Sequence, residues 1–176
     1  MNKNFTLTLL IAAAFIGFSM NANAQSDASA TGDSTAELIA GLTITKQNTL
    51  DFGRIMTTNT AGTVTVSNDG LSDGVTGGVA HTSDSSPAPA TFILTGEPNA
   101  SYTVTLPAND VVFLTHSVDA ISTLAVNGFE TASLTPSLDA NGDGSISVGA
   151  VLSVGTTADS PSGVYNGTFD VSVYYN

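Results

Sequence analysis

From residue 42 onward the chain is built of short runs rich in Thr, Val, Ile, Phe and Tyr, each closed by Gly, Pro, Asn, Asp or Ser. The runs are Leu42-Thr-Ile-Thr45, Thr63-Val-Thr-Val66, Thr91-Phe-Ile-Leu-Thr95, Ser101-Tyr-Thr-Val-Thr-Leu106 and Val111-Val-Phe-Leu-Thr115, then residues 121–126, 146–154 and 165–175. Side chains on a strand point alternately to its two faces, so apolar residues two apart mark a half-buried strand. Tyr102/Val104/Leu106 and Phe169/Val171/Val173/Tyr175 keep that period. Helical spacing is sustained nowhere across more than two turns, and the scarcity of Lys and Glu denies a helix its ordinary surface. Short strands with turn signals at close intervals predict an all-β antiparallel sandwich of about 7–9 strands. Asn127-Gly128 predicts a two-residue hairpin turn. Residues 68–74 read as a Gly-rich loop, and residues 83–90 (SDSSPAPA) as a loop whose prolines bar it from the middle of a sheet.

Ahead of this pattern stands a different kind of segment. Lys3 precedes an apolar run from Phe5 to Phe18, which ends in Ala22-Asn23-Ala24. Charge, apolar stretch and small-residue site in that order form a secretory signal, and the apolar stretch is too short for a comfortable membrane span. An uncleaved anchor is the rival reading. The organisation expected is a signal peptide over 1–24, a mobile polar tail over 25–35 and one β-sandwich domain over 36–176. Export to the cell surface, periplasm or extracellular medium follows, with no transmembrane segment after signal removal. A transmembrane barrel needs aromatic girdles at both interfaces; four Tyr and no Trp argue against it.

Only 3 Lys and Arg stand against 15 Asp and Glu, a net charge of −12. Nucleic-acid binding needs a basic stripe to displace counterions from phosphates, so it is excluded as a general function, and the same charge balance disfavours electrostatic docking on anionic lipid. The carboxylates are read as solvating the faces and loops of a secreted β protein and keeping its sheet edges apart. Absence of Cys removes thiol catalysis, thiolate metal sites and disulfides.

The two ends of the domain look complementary. From Gly163 to Asn176 an alternating strand carries Phe169, Val171, Val173 and the penultimate Tyr175 on one face. This spacing resembles the C-terminal strand of pilus subunits assembled by the chaperone–usher route. The resemblance implies pairing with a periplasmic chaperone and a place beside the groove that a donor strand fills. At the other end Ala36, Leu38, Ala40, Leu42 and Ile44 alternate directly after the polar tail. Such an extension can add itself as a strand to a neighbouring subunit, backbone bonds giving affinity and side-chain pockets giving specificity. Full burial of Leu38, Leu42 and Ile44 would contribute about 5–9 kcal/mol before entropy costs. The same residues suit the first strand of the chain's own sandwich equally well, and both readings stand at this point.

Most of 36–176 is also similar to a broader group of bacterial exported domains catalogued as a domain of unknown function. The residues that carry the likeness are LTITKQNTLDFGRI (42–55), FILTGEPNASYTVTL (92–106), VGAVLSV (148–154) and GVYNGTFDVSVYY (163–175). It implies an immunoglobulin-like or pilin-like sandwich and brings no activity or catalytic residues. Pilus subunits of the familiar kind carry a disulfide near the first strands, and this chain departs from them there.

One loop has the makings of a metal site. Residues 139–150 read D-x-N-x-D-G-x-I, in which Asp139, Asn141, Asp143 and the carbonyl of Ser145 could converge on Ca²⁺ while Gly144 permits the sharp turn. Ala150 stands where the loop needs a bidentate Glu, so any affinity expected is of the weak order of about 10⁻⁴–10⁻³ M. The competing reading is a polar turn between two strands. His81 and His116 lie in separate segments without a nearby ligand partner, and no G-x-S-x-G elbow is present. The function expected is a noncatalytic cell-surface structural protein, a pilus or fimbrial-type or adhesion subunit that assembles by strand addition. Self-association and a periplasmic chaperone supply its partners. The alternative is a self-contained secreted β-sandwich binding module for Ca²⁺ or carbohydrate.

Overall fold

The computed structural model describes residues 27–71 and 74–176; the expected signal peptide lies outside the described residues. The chain divides into two units, Met1–Glu37 and Leu38–Asn176. In the first, residues 27–37 are exposed and have no regular secondary structure. The second holds β1 (Thr43–Asn48), β2 (Ile55–Val66), β3 (Gly74–His81), β4 (Ala90–Thr95), β5 (Tyr102–Thr105), β6 (Val112–His116), β7 (Thr123–Thr131), β8 (Asp143–Val154), β9 (Tyr165–Asn166) and β10 (Ser172–Tyr175). Among the described residues no helix is long and apolar enough to cross a membrane.

β8 organises the fold. Its even-numbered residues Ile146, Val148, Ala150, Leu152 and Val154 are buried, so one face of a twelve-residue strand feeds the core along most of its length. The first half of β8 pairs antiparallel with β4, from Asp143↔Thr95 to Val148↔Ala90, and its second half pairs with β2, from Ala150↔Val66 to Val154↔Gly62. Its other edge takes β7. The large sheet runs β1-β4-β8-β7-β6-β9, with β2 beside β8 and β3 beside β2. A second layer consists of β10 paired with β5. The far edge of β5 is covered by backbone bonds from Tyr102 N–H to the Pro136 carbonyl and from Val104 N–H to the Leu134 carbonyl, both 2.9 Å. β10 has β5 alone as a strand neighbour among the described residues.

The expected all-β antiparallel sandwich is therefore the fold, with ten strands among the described residues. β3 carries no periodic signal in the sequence, because GVTGGVAH offers few side chains to show one; pairing with β2 makes it a strand. Asn127-Gly128 does not turn a hairpin. The pair lies within β7, where the register against β8 shifts between Asn127 and Glu130, and Gly128 adopts φ +60°. A glycine in the left-handed region serves a β-bulge as well as it serves a turn. The run expected over 165–175 is split: β9 joins the large sheet through β6, while β10 crosses to the small one.

Two clusters make the core. One gathers Phe52, Val64, Val66, Val79, Val112, Leu124, Val126, Ala150, Leu152 and Val154. The other gathers Ala90, Leu94, Tyr102, Val104, Leu138, Ile146 and Val148 between the large sheet and the β5–β10 layer. Leu50, Phe129 and Phe169 pack against both.

Candidate assembly interface

Both chain ends of the domain meet the second core. β1 is an edge strand, bonded to β4 in the register Thr43↔Thr95 through Lys46↔Phe92. The Thr43 and Thr95 hydroxyls lie 2.7 Å apart, and the Asn48 amide donates to Thr91 Oγ1 at 2.8 Å. Leu42 and Ile44 are half-buried against the second core. The rest of the alternating series does not join them: Ala36 and Ala40 are exposed, and Leu38 is 90% exposed with Ile39 beside it at 56%. The strand expected over 36–45 thus starts at Thr43. The reason is visible at Ala40, where side chains rather than a strand ladder take up the backbone. Its N–H donates to Glu97 Oε2 at 2.8 Å, and its carbonyl accepts from the Tyr175 hydroxyl at 2.8 Å.

At the C-terminus Phe169, Val171, Val173 and Tyr175 are half-buried against the second core, while Asp170, Ser172 and Tyr174 face solvent. The period-two reading of this segment holds on through the unpaired residues 167–171 into β10. Phe169 joins the two cores: its ring lies 5.0 Å from that of Phe129 and 6.3 Å, edge-on, from that of Phe92. Open hollows lie on either side of it. One of about 320 Å³ is bordered by Leu106, Val111, Val112 and Ser172, and one of about 110 Å³ by Lys46, Leu50, Ala90 and Phe92.

Gly163 has a local cause. A Cβ there would run into the His116 ring. That ring is buried and fixed, its Nδ1 accepting the amides of Val118 and Asp119 at 3.3 and 3.1 Å, which leaves Nε2 to donate to the Ser162 carbonyl at 3.3 Å. Asp119 caps the same turn. Its carboxylate accepts from the amides of Ile121 and Ser122 and from the Ser122 hydroxyl, and these bonds hold its pKa down at about 2.

The Ca²⁺ candidates are arranged as a turn. Asp139 Oδ1 accepts from the amides of Asp143 at 2.9 Å and Asn141 at 2.8 Å, and these bonds lower the carboxyl's pKa. Asp143 and Ser145 stand in β8 opposite Thr95 and Ile93. Among the described residues no group of three or more His, Asp or Glu side chains could hold a metal ion. The Ser85 hydroxyl lies 3.1 Å from His81 Nδ1, but His81 Nε2 is buried with no partner among the described residues, so the pair lacks the third group that would orient a catalytic imidazole.

Sequence reasoning missed Glu97. It reaches Ala40 across 57 positions from the turn after β4, and no local pattern marks such a contact. No curated protein and no solved structure matches the chain. A family model described as a domain of unknown function (DUF4402) matches residues 42–175, a span that starts at the half-buried Leu42 and ends at Tyr175. The match takes in every strand of the sandwich, and the chain belongs to that family.

Proposed function

We propose that the protein is a noncatalytic structural subunit, exported to the cell surface, whose copies join by exchanging the leading edge strand. The observation that carries this reading is the placement of β1: a strand at the sheet edge, preceded by an exposed arm and packed on the half-open second core. A strand in that position can leave its own β4 and lie on the β4 of a neighbour with every contact conserved. Exchange of identical elements is for that reason a low-cost route to assembly. The paired bridge between Asp51 and Ala88, two backbone bonds of 2.8 Å, fixes the chain just beyond β1 and leaves residues 49–50 as the hinge. In this reading the segment from Phe169 to Tyr175, whose strand β10 has β5 alone as a strand neighbour among the described residues, is where an assembly chaperone docks before exchange. The signal-like opening of the sequence supports export.

The Thr43–Thr95 contact supplies a direct test, because the chain has no cysteine of its own. Opposed residues of an antiparallel pair lie within the range a disulfide can span. When equal amounts of purified Thr43→Cys and Thr95→Cys proteins are mixed and mildly oxidised, exchange yields a mixed covalent dimer in excess over the two homodimers taken together, which is more than random collision gives. Mixed dimers no more abundant than the two homodimers combined overturn the reading.

A further inference from the structure

A strand tethered to its domain at its C-terminal end peels from its N-terminal end. β1 is tethered through residues 49–54, so it must open from the Thr43 side, next to Ala40. At that position one hydroxyl joins three parts of the chain. The Tyr175 hydroxyl donates to the Ala40 carbonyl at 2.8 Å and accepts the Glu97 amide at 2.6 Å, while the Glu97 carboxylate takes the Ala40 amide at 2.8 Å. Both backbone groups of Ala40 are therefore engaged, by side chains from the turn after β4 and from β10. Gly96 makes room for this arrangement, since a Cβ there would overlap the Tyr175 hydroxyl and press on Leu138 and Leu42.

We propose that Tyr175 and Glu97 form a latch that holds the leading arm on its own domain and sets the rate at which β1 is exchanged. The inference rests on the exchange reading and supplies its regulation. Because Tyr175 belongs to β10, the latch ties release of the leading strand to the state of the C-terminal strand. A chaperone that pairs along the edge of β10 left without a strand neighbour among the described residues, and so shifts Tyr175, frees the arm of the same molecule.

Tyr175→Phe keeps the ring in the second core and removes the hydroxyl; Glu97→Ala removes the acceptor for the Ala40 amide. Two measurements on the full protein separate the latch from the exchange it controls. Hydrogen exchange followed by NMR reads the Ala40 amide in the monomer, and the rate of mixed-dimer formation between the Thr43→Cys and Thr95→Cys proteins reads exchange. Each substitution is expected to weaken protection of the Ala40 amide and to speed mixed-dimer formation about tenfold, the effect of losing roughly one net hydrogen bond. Unchanged Ala40 protection in both variants overturns the latch. Weakened protection with an unchanged cross-linking rate overturns its control of exchange. If no excess of mixed dimer forms in any background, the exchange reading falls and the latch's control of it falls too, while the Ala40 amide still reports whether the contact itself exists.

Discussion

The two cores of this domain are fed by one face of one strand, yet they are finished differently. Ala150, Leu152 and Val154 of β8 enter a cluster of ten buried residues with six half-buried ones around it; Ile146 and Val148 enter a cluster of seven buried residues with ten half-buried ones around it. Composition does not separate them, since both are Val, Leu and aromatic in character. Coverage does. The closed core is wrapped by β2, β6, β7 and β8 of the curled large sheet, whereas the open core is roofed by the two-stranded β5–β10 layer and flanked by the edge strand β1. Edge strands leave backbone groups available to another chain. In this molecule those edges coincide with the half-buried apolar residues Leu42, Ile44, Val171 and Val173, so the place where the sheet is least finished is also where the core is least covered.

The largest effect that would test this contrast is in the closed core. Leu152 is 2% exposed, and Leu152→Ala is expected to cost about 2–5 kcal/mol in urea unfolding, transfer and cavity terms together. It should leave the rate of mixed-dimer formation unchanged. A faster exchange in this variant would show that the two cores open together, and the distinction between them would fail.

Gly163→Ala comes next. The added Cβ meets the His116 ring, which cannot step aside without giving up the Val118 and Asp119 amides. Overpacking of this kind costs about 1–3 kcal/mol, read as a lowered urea midpoint. His116 pairs with Tyr165, whose ring packs on the closed core, so the loss belongs to the closed end and exchange should again be unaffected. A Gly163→Ala protein as stable as the parent would show that the ring has more freedom than these bonds allow.

Ile44→Ala is the counterpart in the open core. The side chain is only half-buried, so the stability lost is about 1–2 kcal/mol, below the cost of removing a fully buried one. Mixed dimers should form several times faster, because the strand being exchanged is held less tightly. Slower or equal exchange would mean that β1 does not leave β4 on the path to the dimer.

How far the sequence disclosed this arrangement can be judged from those same residues. Period two placed Phe169, Val171, Val173 and Tyr175 on one face, and the structure keeps them there, because burial against a single core selects alternate positions. The equally regular series from Ala36 to Ile44 is used only at Leu42 and Ile44. Alternation states which residues share a face and is silent on whether a ladder exists to hold that face in place. Asp139, Asn141 and Asp143 fit a metal loop and a turn alike, since oxygen-bearing side chains that could reach a cation also reach their own amides, as Asp139 does. Gly96, Glu97 and Tyr175 became a group only through tertiary contact. A hydroxyl that answers an amide 78 positions away leaves no spacing to be read.

The smallest effect concerns the turn that closes the β6–β7 hairpin at the closed end. Asp119 is exposed, but bonds from the Ile121 and Ser122 amides and the Ser122 hydroxyl take its pKa from the usual 3.8 to about 2. A carboxylate with a lowered folded-state pKa adds stability that is fully present above its unfolded pKa and is lost as the pH falls through the folded one. The urea midpoint should therefore fall as the pH drops from about 4 to about 2, and screening by solvent keeps Asp119's share modest. Asp119→Asn keeps an oxygen for the amides and removes the titration, so its midpoint should fall less over the same window. Asp139, at the head of β8 beside the open core, is lowered by the Asp143 and Asn141 amides, and Asp139→Asn should flatten its own part of the acid limb. The comparison sharpens if removing the Asp139 turn by Asp139→Ala speeds mixed-dimer formation at neutral pH, where the thiols can react, while Asp119→Ala leaves exchange alone. It breaks if Asp119→Asn follows the parent's acid limb unchanged.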